Sequence, residues 1–322
     1  MLPLETLQYV EMKMKHDTIR VFTPDIPAEL TFVERKQVNN KLVNAIRTPG
    51  KQIVVYGENG SGKTTLLTNK LNQLYEGYIS TSCTGETTVE HILRDGFDQL
   101  GKFYISQVER KKSISIGGEI KNNYALIANS IKIQRKRETN VTEVPIIPPD
   151  LTVQLLAKFF GESKYAWVLE DFHKVRKSEK KRISDLLKVF ANEAQNAPST
   201  KVIIIGAVES AGEIAAFSND MNRRIYQIKV DLMTNEEISE IILRGSELLN
   251  LTFEDNVKAA IVMASGFRPS RCHQLCLNIC QDLEINETVE QTVKISMSDF
   301  EKSIGTYHEA YGYFITDGYK YE

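Results

Sequence analysis

Nothing in these 322 residues approaches an 18-residue apolar run, so no segment is expected to span a bilayer. The opening stretch MLPLETLQYVEMKMKHD is interrupted by Glu5, Glu11 and later charges and lacks the apolar core of a signal peptide. Charge of one sign is missing too. Lys and Arg total 40 against 42 Asp and Glu, a formal net charge of −2. No global basic field draws the chain to nucleic acid or membrane, and any such binding must be local. There is no internal repeat. Cysteine is scarce, and Cys83, Cys272, Cys276 and Cys280 suit a reducing cytoplasm. What remains is ordinary: 42% hydrophobic and 25% charged residues, enough for one large core and a smaller satellite domain.

The informative stretch is IVVYGENGSGKTTLL, from Ile53 to Leu67. Ile53-Val54-Val55-Tyr56 reads as a short buried strand. Gly57 to Thr64 then fits G-x-x-x-x-G-K-[ST], and Thr65 begins a helix. Glycines let the backbone adopt positive φ and turn N–H groups inward, forming a nest for phosphate oxygens at the positive end of a helix dipole. Lys63 is expected at the β- and γ-phosphates and Thr64 at Mg²⁺. Gly57, Glu58, Asn59, Gly60, Ser61, Gly62, Lys63, Thr64 and Thr65 are thus candidate nucleotide-binding residues.

Around this loop the chain alternates. Residues 1–26 read as an extended lead-in. An amphipathic helix carrying Val38, Leu42, Val43 and Ile46 follows, broken by Pro49-Gly50. Its start lies where a chain can close over a bound adenine; Arg35 is placed near the nucleotide or, alternatively, in solvent. Tyr78–Thr81, Lys164–Leu169, Lys201–Gly206 and Ile225–Val230 read as strands, and Thr87–Leu100, capped by Thr87 or Thr88, and Ser178–Asn192 as helices. Pro148-Pro149-Asp150-Leu151 is expected to cap a helix running to Phe160. Continuous apolar strands alternating with helices imply an α/β fold, a three-layer αβα parallel sheet. Residues 103–149 suggest a β-hairpin insertion rich in Lys and Arg. Lys132, Arg135, Lys136 and Arg137 in it reach toward DNA or RNA or a partner protein, or simply face water. From the capping sequence Thr234-Asn235-Glu236-Glu237 to about residue 310 helical patterns dominate, a small all-α lid, with a tail at 311–322. The domain reading is therefore 1–26, 27–230, 231–310 and 311–322.

Two carboxylates, Glu170 and Asp171, close the strand WVLED, where core positions disfavour charge. Glu170 is assigned to the metal through water and Asp171 to the attacking water. At the next strand's end Ser210 either senses the γ-phosphate or caps a helix. His173 either orients the carboxylates or is structural. Arg223 and Arg224 precede the last strand, where one can serve a neighbouring subunit as a finger. In GFRPSR, Arg268 or Arg271 can bridge from the lid to the γ-phosphate. Cys272, Cys276 and Cys280 form one helix stripe without a C-x₂-C knuckle, which reads as core.

Taken in order, FVERK (Phe32 to Lys36), the P-loop, WVLEDFHKV, IIIGAVES, NRRI and GFRPSR resemble the AAA+ ATPases of the branch holding origin-recognition and STAND-type NTPases, over about residues 30–305. Glu34 stands where that branch often has glycine, and Glu-Asp replaces the usual Asp-acid order. About 12 residues follow the lid, so neither a winged-helix DNA-binding domain nor long repeats are expected. The resemblance implies an ATP- and Mg²⁺-dependent homo-oligomeric cytoplasmic switch that regulates a partner effector, as in stand-alone ATPases of transposition and bacterial antiviral defence. A DNA-acting motor or loader and a nucleotide-gated scaffold with negligible turnover are the rival expectations.

Overall fold

The computed structural model describes residues 14–110, 152–208 and 219–311, with side chains described for all of these but 101–110, 219–220 and 306–311. These residues fall into two compact units. One takes residues 40–57 and 70–229; the other takes the chain up to 39, the segment 58–69, and the chain from 230 onward.

The first unit is built on five strands: β1 (Gln52–Tyr56), β2 (Gly77–Ser82), β3 (Tyr165–Glu170), β4 (Lys201–Gly206) and β5 (Ile225–Lys229). Their order is β2-β3-β4-β1-β5, and every neighbouring pair is parallel. A parallel sheet needs crossover helices and is buried on both faces, which is why Ile53–Val55 and Val202–Ile204 are unbroken apolar runs without exposure. Val54 stands opposite Ile204, and Trp167 opposite Val202. Helices α4 (Val89–Arg110), α5 (Val153–Ser163) and α6 (Lys177–Glu193) flank this sheet. The core centres on Trp167, stacked on Phe160 at 5.0 Å and tilted against Phe190 at 5.5 Å.

Helix α4 runs on to Arg110, so residues 103–110 are helix rather than hairpin; 111–149 lie outside the described residues. Thr152, not the Pro148–Leu151 stretch, caps α5, its hydroxyl accepting the Leu155 N–H at 3.2 Å. Of the two threonines before α4, Thr88 takes the His91 N–H, while Thr87 closes the preceding turn onto Thr84.

The second unit holds α8 (Asn235–Leu249), α9 (Asp255–Ser265), α10 (Pro269–Asp282) and α11 (Met297–Tyr311). It is not all-α. Leu251–Phe253 (β6) and Val293–Ile295 (β7) form a two-stranded parallel sheet, because Leu251 and Phe253 alternate inward after the left-handed Asn250 ends α8. Thr234 and Glu237 complete the capping box at the start of α8. Cys272, Cys276 and Cys280 are buried along one stripe of α10, and burial pushes the Cys280 thiol up to about 12. Among the described residues no cluster of three or more His, Cys, Asp or Glu side chains is arranged to hold a metal. The described part of the lead-in is no loose extension. It includes the one-turn helix α1 (Thr18–Val21), and Val21 and Phe22 are fully buried in this unit's core.

Candidate functional site

The chain leaves β1 at Tyr56 and enters α3 (Lys63–Leu74) after six residues. Gly57, Gly60 and Gly62 take φ of 145°, 75° and 87°, the region that L side chains rarely occupy. Gly60 is constrained twice, since a Cβ there would lie 2.4 Å from Ser270 Oγ at the start of α10. The first helical bond joins Leu66 N–H to the Gly62 carbonyl at 2.9 Å. The N–H groups of a helix's first turn have no intrahelical acceptor, and they carry the positive end of its dipole. Ser61 is fully buried, and its hydroxyl has no hydrogen-bond partner among the described residues. Lys63 is buried as well, and its Nζ donates to the Glu58 carbonyl at 2.6 Å. Glu58 and Asn59 are exposed; Thr64 and Thr65 are half-buried.

A buried hydroxyl without a partner among the described residues is costly to keep, and a buried ammonium resting on a backbone carbonyl is a cation placed in the loop itself. Together with the three positive-φ glycines they fit a phosphate chain. Thr64, one residue into α3, has the hydroxyl that suits a divalent metal beside it.

The same unit braces this loop. Arg35 is neither a free surface charge nor an unengaged nucleotide ligand. Its guanidinium donates to the Asp231 carbonyl at 2.9 Å, the Leu232 carbonyl at 3.1 Å and the Ser61 carbonyl at 3.5 Å, and lies 3.3 Å from the Glu237 carboxylate. Arg268 precedes α10 and pairs with Glu58 of the loop at 2.5 Å. Arg271 forms no hydrogen bond or ion pair among the described residues, and its guanidinium lies near Gly266. Of the two arginines left open in GFRPSR, Arg268 is therefore the one whose charge reaches the loop.

In the sheet unit, Glu170 is the last residue of β3 and accepts a hydrogen bond from Ser80 Oγ at 2.9 Å. Asp171 follows in the left-handed region (φ 54°) and is paired with Lys174 at 2.6 Å. Beside them Cys83 is pushed up to about 12 by burial, then by the charges of Asp171, Asp95 and Glu170. A second network lies next to it. Thr81 Oγ1 donates to Asp95 at 2.6 Å and receives Trp167 Nε1 at 3.0 Å, while Gln99 donates to the same Asp95 oxygen at 2.8 Å. His173 Nδ1 accepts the Ala207 N–H at 3.3 Å at the end of β4.

Arg223 and Arg224 separate clearly. Arg224 donates to Asn192 Oδ1, whereas the exposed Arg223 side chain has no partner among the described residues. Ser210 and the basic set Lys132, Arg135, Lys136 and Arg137 lie outside the described residues. Ser80, Lys174 and the Glu58–Arg268 pair were not anticipated. Ser80 had a weak signal, since parallel pairing of β2 with the strand before Glu170 puts a β2 hydroxyl beside that carboxylate.

Residues 46–253 match the family model described as an AAA domain. The chain belongs to that family. No curated protein matches the sequence significantly. Among solved structures, the Walker-type ATPase PABY2304 of Pyrococcus abyssi aligns with 13% identity and a TM-score of 0.53, covering 87% of this chain and 72% of that one. The ORC1 protein of Aeropyrum pernix in complex with DNA aligns at 12% identity and 0.51, covering 93% and 71%. The ORC2 protein of Aeropyrum pernix, in ADPNP–ADP complexes, aligns at 14% identity and 0.50, covering 89% and 71%. At these identities the likeness concerns the AAA+ fold. Among the described residues no helix is long and apolar enough to cross a membrane.

Proposed function

We propose that this AAA-domain protein binds and hydrolyses ATP and works as an oligomeric molecular switch. The observation that carries the reading is the loop at 57–64: positive-φ glycines, a buried Ser61 hydroxyl without a partner among the described residues, and a buried Lys63 whose ammonium rests on its own loop. Lys63 exchanges the Glu58 carbonyl for phosphate oxygens, and the N–H groups at the start of α3 complete the cradle. Mg²⁺ would be held by the Thr64 hydroxyl and, through water, by Glu170, and would offset phosphate charge. Asp171 orients the attacking water. Arg223 is the finger offered to a neighbouring subunit, because Arg224 is engaged with Asn192. Ser210 reads the γ-phosphate. The switch acts on a partner effector, and the stand-alone ATPases of antiviral defence and transposition are the systems it resembles.

Two variants test this. Lys63→Ala should abolish binding of a fluorescent ATP analogue. Glu170→Gln should keep that binding while lowering ATP turnover by about 100-fold or more. A wild type without turnover overturns the hydrolytic reading in favour of a nucleotide-gated scaffold, and a Glu170→Gln protein that hydrolyses normally overturns the role given to Glu170.

A second reading, DNA-associated action, rests on the basic run Lys132, Arg135, Lys136 and Arg137 and on the DNA-bound fold neighbour. Salt-sensitive DNA binding lost on replacing those four residues supports it.

A further inference from the structure

Glu58 is the one charged residue of the phosphate loop besides Lys63, and its carboxylate does not face the solvent alone. It meets Arg268 Nη2 at 2.5 Å, with the arginine side chain 28% and the glutamate 47% exposed. Arg268 is anchored at both ends. Its backbone is the N-cap of α10, its carbonyl accepts the Cys272 N–H at 3.0 Å, and its Nη1 leans on the Gly266 carbonyl at 3.4 Å. Close packing of Gly60 against Ser270 fixes the spacing between loop and helix start. A guanidinium thus sits at the rim of the phosphate loop, already committed to a carboxylate.

We infer that the Glu58–Arg268 ion pair is a competitive latch: Glu58 holds Arg268, and the terminal phosphate of a nucleoside triphosphate must win the arginine from it. The inference rests on the proposed triphosphate site and assigns Glu58 a role in selecting triphosphate over diphosphate. Phosphate carries more charge than carboxylate and takes the same bidentate fork, so the exchange favours the longer nucleotide. A diphosphate lacks the third group and leaves the latch closed. Glu58 touches no reacting atom; it is a positioning residue acting through Arg268. Because the pair is partly exposed, the latch is weak and its effect is a tuning of preference rather than an on–off control.

The test is equilibrium binding of a slowly hydrolysed ATP analogue and of ADP, both with Mg²⁺, to wild type, Glu58→Gln, Arg268→Gln, the double variant and Lys63→Ala. Glu58→Gln is nearly isosteric at an exposed position and should leave thermal unfolding unchanged. It should raise the triphosphate-over-diphosphate preference by about two- to fivefold, the range expected for a partly exposed ion pair. In the Arg268→Gln background the same substitution should change nothing. An unchanged or lowered preference in Glu58→Gln overturns the latch. So does an equal rise in the Arg268→Gln background, since Glu58 would then act by direct repulsion. These outcomes are separable from failure of the underlying site, which would show as undiminished nucleotide binding by Lys63→Ala.

Discussion

Each of the two units ties down an incoming segment with one buried titratable side chain, but the two chose opposite chemistries. In the sheet unit Lys201 projects from β4 and donates to the Thr48 carbonyl at 2.7 Å, the Lys51 carbonyl at 2.6 Å and the Ala45 carbonyl at 3.4 Å. These belong to the end of α2 (Lys36–Arg47) and the turn into β1, so one ammonium absorbs the orphan acceptors of a helix C-terminus. In the helical unit His273 on α10 accepts the Thr23 N–H at 3.0 Å, holding the N-terminal segment. Burial lowers Lys201 to about 8 and His273 to about 4. At neutral pH the lysine is still charged and donating, while the histidine is neutral and accepting. A cation suits carbonyls; a neutral ring suits an N–H.

That contrast predicts an acid response from one anchor and none from the other, and this is the largest effect expected. His273 in the folded chain titrates near 4 against an ordinary 6.5, so the unfolded chain takes up the proton first. The stability tied to the neutral ring is full above pH 6.5 and is lost as pH falls through 4, up to about 3 kcal/mol. Lys201 keeps its proton throughout that window and contributes no change. Trp167, the only tryptophan, lies in the sheet unit, while three of the four cysteines lie in the helical unit. Denaturant melts from pH 7 to pH 4 should therefore show thiol exposure advancing before tryptophan fluorescence. His273→Asn, whose side-chain oxygen can accept the same N–H, should remove that gap. An equal acid response of both probes breaks the comparison.

Smaller, and confined to the other unit, is the effect of Lys201→Met. The substitution keeps the aliphatic stem and removes the donor, leaving the Ala45, Thr48 and Lys51 carbonyls to find water. About 2 kcal/mol of stability should be lost, read from the tryptophan melt at neutral pH. A loss seen first in thiol exposure would mean that the lysine does not serve the unit that contains it.

The same two anchors explain what the residues alone revealed. Strands β1, β3 and β4 were legible because a sheet covered on both faces demands continuous apolar runs, and the phosphate loop was legible because its glycines and lysine each have a local reason. The stripe of Cys272, Cys276 and Cys280 was legible as core for a similar reason: its periodicity is that of one helix face. What escaped notice depends on partners far along the chain. Thr18 bonds the Ile285 carbonyl and Thr23 bonds His273, so nothing near residue 20 marks that segment as part of a unit that resumes beyond 230. The choice of Arg268 over Arg271, and of Arg223 over Arg224, is equally non-local. Adjacent or nearby arginines are identical to a pattern and differ only in which neighbour, Glu58 or Asn192, the fold brings within reach.

The smallest expected difference concerns two helix glycines, each lying under an aromatic ring. Gly245 of α8 faces Phe22, and a Cβ there would fall 2.3 Å from the ring; Gly96 of α4 faces Trp167, and a Cβ would fall 2.9 Å away. Replacing glycine by alanine inside a helix gains about 1 kcal/mol of propensity in both cases. The opposing cost depends on whether the ring can retreat. Phe22 is fully buried, set edge-on to His273 at 6.2 Å, and its chain is pinned at Thr23, so it cannot yield the ångström required. Overpacking of that size costs about 1–3 kcal/mol, leaving Gly245→Ala destabilised by about 1 kcal/mol. Trp167 needs to move by only a few tenths of an ångström, and its loss should nearly cancel the propensity gain, so Gly96→Ala is expected within about 0.5 kcal/mol of wild type. Thermal melts of the two alanine variants measure the difference directly. Equal values would mean that the N-terminal segment is held no more firmly than the centre of the sheet yields, and the histidine anchor would lose its claim to rigidity.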